Sequence, residues 1–426
     1  HAANMAWGAT PQEGADELLA RAAMQRSLCI MPFRRFGADE CVALCAGLPS
    51  TSLVELLASG HAIGEVGAAA VGQLLAQPSA LRRLAIGDVS FGDAGAEALL
   101  LGLGGAPCRL EALQLDLKGL GEPGARAVGA LLCRAPALRE LTLARNPLGG
   151  AGVAALGEGL RAATALETLD LSETQLDASG VEALGRAAVA GGLQALRALH
   201  VSRNGELAGD GARAVAALLP KLPALRRCAV EECAVGAAAG ALLGTAVAAA
   251  RGDGHCALEC LLLDGNPALG GACRQVDASP SLGSPSLALL DDEEEAGAAA
   301  VRALCGAGLR ELRMGRCGVA DAAASGLCDA SPSLTALDLH SNQLGPRAAA
   351  ALGTLRGLRS LRLFDNPLED AAALALVEAH GEASSLEALD LGACRMSAAG
   401  MSALFAVLAR ASVLPRLRCV ELFGNE

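Results

Sequence analysis

The sequence predicts an α/β solenoid, a curved horseshoe with parallel strands on its concave face and helices on its convex face. Three observations predict it: a leucine pattern that recurs along most of the chain, asparagines concentrated at one position of that pattern, and an aromatic content of only 2%. The pattern is clearest from Leu138 to Gly152, LRELTLARNPLGGAG, where Leu138, Leu141, Leu143, Asn146 and Leu148 give L-x-x-L-x-L-x-x-N-x-L. Apolar residues at these offsets suit a short strand with one buried face. The asparagine falls where the chain leaves the strand, and its amide can satisfy backbone groups that a turn leaves unpaired. Val153 to Leu160 then carries helical spacing. One strand, one turn and one helix in about 28 residues cannot bury a core alone, so the unit must be stacked.

The first leucine recurs at Leu53, Leu81, Leu110, Leu138, Leu166, Leu196, Leu225, Leu258, Leu309, Leu334, Leu358, Leu386 and Leu417, thirteen copies in all. Six of the seven asparagines (Asn146, Asn204, Asn266, Asn342, Asn366 and Asn425) share one column of this period. Cys233, Cys317, Cys394 and Thr174 occupy the same column in other copies, and His61 and Val89 occupy it in the first two. With G-x-x-G after the turn at Gly149 to Gly152 and an alanine- and leucine-rich helix, the repeat resembles the ribonuclease-inhibitor type of leucine-rich repeat over roughly residues 53–426. That resemblance implies the solenoid. For function it implies a range: enzyme inhibitors, a Ran GTPase-activating protein, NOD-like receptors, and cytoskeletal or ciliary scaffolds.

Taken in order, residues 1–52 are expected to form a loose tail (1–15, with Trp7) and a degenerate capping repeat. Asp16 to Ser27 reads as a helix, Leu28 and Ile30 as a degenerate strand with Phe33 and Phe36 behind it, and Ala38 to Leu48 as its helix. An open solenoid end needs such a cover. Residues 53–426 follow as about thirteen repeats. Between Leu258 and Leu309 the interval lengthens to 51 residues. The excess, about 271–297, holds SPSLGSPS and the run Asp291 to Glu295, and it is expected to loop out of the stack. After it the intervals shorten to 25 and 24, which predicts short helices after Leu309 and Leu334. The chain opens at His1 and stops at Asn425-Glu426, partway through a repeat, so incomplete ends are expected.

Composition narrows the function. A net charge of −12 with no basic block argues against nucleic acid, where phosphate neutralisation supplies most of the affinity. It favours a protein partner with a basic surface. No free-standing apolar run is long enough to span a bilayer, so direct membrane insertion is not expected. The 15 cysteines, Cys41 and Cys45 on one helix face among them, read as reduced thiols of a cytoplasmic protein, whether free or built into a cytoskeletal, ciliary or organellar assembly.

No catalytic, cofactor or metal site is expected. Lys118 precedes glycine and Lys221 precedes leucine, which excludes a phosphate-binding loop of Walker type. The one cluster suggestive of metal, His255, Cys256, Cys260 and Cys273, is split between a strand and the insertion.

The informative residues lie between the buried leucines, where strand alternation aims them into the concave face. In the last five repeats two such columns supply Arg313, Asp338, His340, Arg362, Phe364, Asp390, Glu421 and Phe423, alternating charges with two of the six phenylalanines. These residues are the candidate protein-binding site of a non-catalytic interaction scaffold. The alternatives are a GTPase activator resembling the Ran-directed one and an inhibitor of the ribonuclease-inhibitor type.

Overall fold

The computed structural model describes residues 11–271, 287–410 and 413–425. The chain divides into two compact units, residues 1–204 with 221–224, and residues 205–220 with 225–426. Each unit is a stack of strand–turn–helix repeats with seven strands. Within each, every strand pairs in parallel with the strand before it in the chain.

In the first unit the strands are β1 (Ser27–Cys29), β2 (Glu55–Ser59), β3 (Arg83–Gly87), β4 (Ala112–Gln114), β5 (Glu140–Thr142), β6 (Thr168–Asp170) and β7 (Ala198–His200). Helices α1 (Pro11–Met24), α2 (Ala38–Gly47), α3 (Gly64–Ala76), α4 (Gly92–Leu103), α5 (Glu122–Leu132), α6 (Gly149–Ala155), α7 (Gly157–Ala162) and α8 (Ala178–Val189) alternate with them. The second leucine of each motif is in register with its neighbours, Leu113 with Leu141, Leu169 and Leu199, so like packs on like in a continuous buried column. Adjacent helices approach almost backbone to backbone. A Cβ on Gly72 of α3 would overlap the Leu99 carbonyl of α4, so glycine is required there by the close packing.

The cap differs from expectation in detail. Helix α1 begins at Pro11, so residues 11–15 are helical rather than tail, while 1–10 and Trp7 lie outside the described residues. Leu28 sits in a genuine strand, Ser27 pairing with Glu55, and this adds a fourteenth strand to the thirteen read from the leucine column. Phe36 is buried against His61, ring centroids 5.3 Å apart and edge to face, whereas Phe33 projects into solvent.

In the second unit α9 (Asp210–Leu218) precedes β8 (Arg227–Ala229), α10 (Ala237–Gly252), β9 (Cys260–Leu262), α11 (Leu287–Cys305) and β10 (Glu311–Arg313). There follow a 3-10 segment at Asp321–Asp329, β11 (Ala336–Asp338), α12 (Pro346–Leu352), β12 (Ser360–Arg362), α13 (Glu369–His380), β13 (Ala388–Asp390), α14 (Ala398–Leu408) and β14 (Cys419–Glu421). The contracted repeats after Leu309 and Leu334 hold the 3-10 segment and the seven-residue α12.

The expected loop at 271–297 is corrected from its second half. Residues 287–297 belong to α11, so the run Asp291 to Glu295 lies along a helix; residues 272–286 lie outside the described residues. Alanine, leucine and glutamate are strong helix formers, and the charge block does not break a helix that can leave Glu293 to Glu295 in solvent. Gly297 packs directly against the Gly270 backbone, which ties this helix to the turn of its own repeat.

The asparagines join consecutive repeats. Asn342 Nδ2 donates to the Met314 and Leu339 carbonyls, both at 2.8 Å, while its Oδ1 accepts the Cys317 and Val319 amides at 3.1 and 3.0 Å. Asn146, Asn204 and Asn266 repeat this geometry, and all are buried. Asn366 and Asn425 hold the same carbonyls and one amide each. Where cysteine or threonine takes the column, a donor contact to a carbonyl is kept: Cys394 Sγ reaches the Leu363 carbonyl at 3.2 Å, and Thr174 Oγ1 the Leu171 carbonyl at 2.7 Å. His61 makes the same backward contact, Nε2 lying 3.1 Å from the Ile30 carbonyl. The residue before the asparagine takes a left-handed turn even when it is not glycine, as at Arg145 (φ 60) and Arg203 (φ 60).

Candidate protein-binding face

The three-residue strands leave one side chain, flanked by two buried leucines or their equivalents, on the open side of the sheet. In the second unit this places Arg313, Asp338, Arg362, Asp390 and Glu421 on neighbouring strands β10 to β14, in one row. The register brings them together as the spacing implies, and most engage one another. Arg362 Nε bonds Asp390 Oδ2 at 3.1 Å, and its Nη1 lies 3.5 Å from Asp338 Oδ2. Asp338 Oδ1 takes His340 Nδ1 at 2.8 Å and the His340 backbone amide at 3.1 Å. Arg313 turns to Glu311 of its own strand at 2.8 Å.

Burial works against the charge of Asp338, but the two hydrogen bonds from His340, with the His340 and Arg362 charges, hold its carboxyl below the usual range. Asp264, one strand back, goes the other way. Burial raises it, although the Gly315 amide at 2.6 Å opposes the shift.

The aromatic residues behave differently from one another. Phe364 is half-buried and leans over Gly392 of the next repeat, where a Cβ would collide with its ring. His340 lies over Gly315 in the same manner, so small residues in this column make room for a neighbour's ring. Phe423 is 87% exposed, with its backbone carbonyl bonded to Ala393 N. Ring, glycine and exposed ring thus occupy three consecutive positions of one column, a local apolar surface within a charged row.

Two features of the face were missed at the level of sequence although the same period exposes them. Lys118 stands in the asparagine column 28 residues before Asn146, is buried, and reaches Ser59 Oγ at 3.4 Å across an intervening repeat. Burial depresses its amine, while Asp116 and Asp88 oppose that shift. The second feature is a column of arginines and glutamates one residue after the first leucine. Arg139 and Arg197 both meet Glu167 there, at 2.5 and 3.5 Å.

Of the cluster suggestive of metal, Cys273 lies outside the described residues, and Cys256 and Cys260 are buried thiols whose pKa burial pushes up. Among the described residues no helix is long and apolar enough to cross a membrane.

A family model described as a leucine-rich repeat matches residues 163–185, 330–353 and 382–405. No curated protein matches the chain. Among solved structures, a chain of the TLR13–ssRNA13 complex is similar over 89% of this chain at 18% identity and a TM-score of 0.46, and the match spans only 54% of that chain. Rad7 in the yeast Rad7–Elc1 complex structure is similar over 97% of this chain and 88% of that one, at 16% identity and a TM-score of 0.47. An internalin, inlF of Listeria monocytogenes, is similar over 78% of this chain and 88% of its own, at 15% identity and a TM-score of 0.40. With its recurring leucine motif, parallel ladder of strands and matched repeats, the chain is a leucine-rich-repeat protein.

Proposed function

We propose that the protein is a non-catalytic interaction scaffold that binds a protein partner on the sheet face of its last five repeats. The observation that carries this reading is Phe423, an aromatic ring left 87% exposed in the same column as Phe364, two repeats further on, with the Arg362–Asp390 pair in the adjoining row. An apolar ring left in water at the turn that follows a strand is the kind of anchor from which interfaces draw much of their energy, and charges around it select a partner by complementarity. A non-catalytic role is supported by the charges of this row, which neutralise one another on an open face rather than converging in an enclosed pocket. The ribonuclease-inhibitor type of repeat is supported by the helical segment in most repeats, and a cytoplasmic setting by the free thiols. The test is affinity purification from the native source with the wild type and with a Phe364→Ala/Arg362→Ala variant. The reading expects a partner retained by the wild type and lost from the folded variant. Retention of every partner by the variant removes the site from this face. A Ran-type GTP hydrolysis assay run alongside separates the scaffold from a GTPase activator.

A further inference from the structure

The column one residue after the first leucine runs along one edge of the sheet, and its chemistry alternates. In the first unit it reads Val54, Arg82, Glu111, Arg139, Glu167 and Arg197, alternating from Arg82 onward. Each carboxylate stands between guanidiniums one strand away on either side: Glu167 holds Arg139 at 2.5 Å and Arg197 at 3.5 Å, and Glu111 holds Arg82 at 3.8 Å. In the second unit the column reads Arg226, Glu259, Arg310, Thr335, Arg359, Glu387 and Arg418. Glu259 holds Arg226 at 2.9 Å and Glu387 holds Arg359 at 3.4 Å.

Within the second unit the alternation fails once, at Thr335, which stands where a carboxylate would. Backbone bonds fix its place between two arginines, Thr335 N to the Arg310 carbonyl at 2.9 Å and Arg359 N to the Thr335 carbonyl at 2.7 Å. Its hydroxyl turns back to the Arg310 carbonyl at 3.1 Å and offers the guanidiniums nothing. Among the described residues the Arg310 side chain meets no carboxylate. A cleft of about 300 Å³ opens here, lined by Arg226, Arg227, Arg310, Glu259, Glu311 and Thr335. Both glutamates are already engaged, Glu259 by Arg226 and Glu311 by Arg313 at 2.8 Å and Arg227 at 3.8 Å.

We infer that this gap docks an aspartate or glutamate side chain of an acidic protein segment, whose carboxylate completes the ladder at Thr335. The protein already builds the complementary arrangement with its own Glu167, a single carboxylate shared by Arg139 and Arg197, so the occupant's chemistry is that of this residue. Arginine forks suit carboxylates geometrically as well as by charge. In a chain of net charge −12, attraction of an acidic segment must be local and screened by salt. The inference is independent of the aromatic cluster, because it rests on a different column and on a different interaction.

The test is fluorescence anisotropy of a labelled peptide of alternating glutamate and glycine at low salt, with the intact protein. Wild type should bind saturably, and binding should fade with salt. Thr335→Glu fills the gap from within and Arg310→Ala removes its free cation, so each should weaken binding about tenfold or more. Arg82→Ala, in the first unit where the column is complete, should leave binding unchanged. Thr335→Glu should also raise the melting temperature, which separates a filled site from a damaged fold. Absence of saturable wild-type binding overturns the inference, as does undiminished binding by Thr335→Glu and Arg310→Ala. A phosphoserine peptide bound through the same arginines while the glutamate peptide is not would overturn the assignment of a carboxylate.

Discussion

The two units of this protein are built from one repeat and treat the open faces of their strands differently. On the first, charges close on one another. Arg83 bridges Glu55 at 3.2 Å and Glu140 at 3.1 Å, Glu173 takes Arg203 at 2.8 Å and Arg145 at 3.5 Å, and the edge column alternates from Arg82 to Arg197. The second keeps ion pairs too, but it leaves Arg310 unanswered and sets Phe364 and Phe423 among its charges. Leucines and asparagines hold both in the same way. The difference teaches that the scaffold is carried by columns facing inward and toward the turns, so the remaining columns can change without penalty to the fold.

If that is right, the turn asparagines should matter equally in both units. Asn146→Ala and Asn342→Ala each strip bonds from several buried backbone groups and should cost about 3 kcal/mol each, read by urea unfolding. Cys394→Ala, which removes only the weak hydrogen bonds of a thiol, should cost clearly less. A silent asparagine in either unit would break the idea of a shared scaffold.

Acid should distinguish the units. His380, on α13 of the second, is fully buried, with no partner for Nε2 among the described residues. Burial first, and the Arg356 charge second, lower its pKa from 6.5 to about 4. The folded state therefore keeps the ring neutral while the unfolded chain protonates. The resulting stability is present above pH 6.5 and is lost as pH falls toward 4, by about 2–3 kcal/mol. His380→Phe should flatten this slope in a pH series of unfolding midpoints.

Smaller effects belong to the caps that one repeat lends to the next. Asp93 Oδ1 accepts the Gly121 and Gly124 amides at the start of α5, and Asp321 Oδ1 accepts Gly345 and Ala348 at the start of α12. Replacing either by alanine should cost about 1 kcal/mol, alike in both units. The smallest effect is expected at the exposed pairs that make the first face neutral: Arg139→Ala should shift stability by about 0.5 kcal/mol or less, as thermal unfolding would show.

Much of this was legible in the sequence because the period is rigid. A 28-residue spacing placed Asn342, Arg362 and Phe364 in columns, and columns become neighbours once strands stack in register. What period alone leaves open is how a side chain uses its position. Phe364 leans over Gly392 because that repeat has no Cβ there, whereas Phe423 has no such resting place among the described residues. The acidic run was misread because charge suggests loop, while glutamate and alanine together form a helix whose outer face tolerates charge. The strand at Leu28 escaped the count because its repeat lacks the motif's flanking leucines, yet pairing with β2 completes it. Lys118 and Thr335 stood in plain columns; each departs from its column's rule, and only the packed neighbours reveal what the departure does.

The central claim, that the face of the last repeats receives a protein and the first face does not, is tested most directly by site-specific photo-crosslinking. A photoreactive phenylalanine analogue at Phe423, and the same analogue at Ala144 in the matching column of the first unit, would be irradiated in the native source and the adducts resolved by mass spectrometry. The account predicts a discrete protein adduct from position 423 and none from position 144. Adducts from position 144 alone, or the same adducts from both, would contradict it.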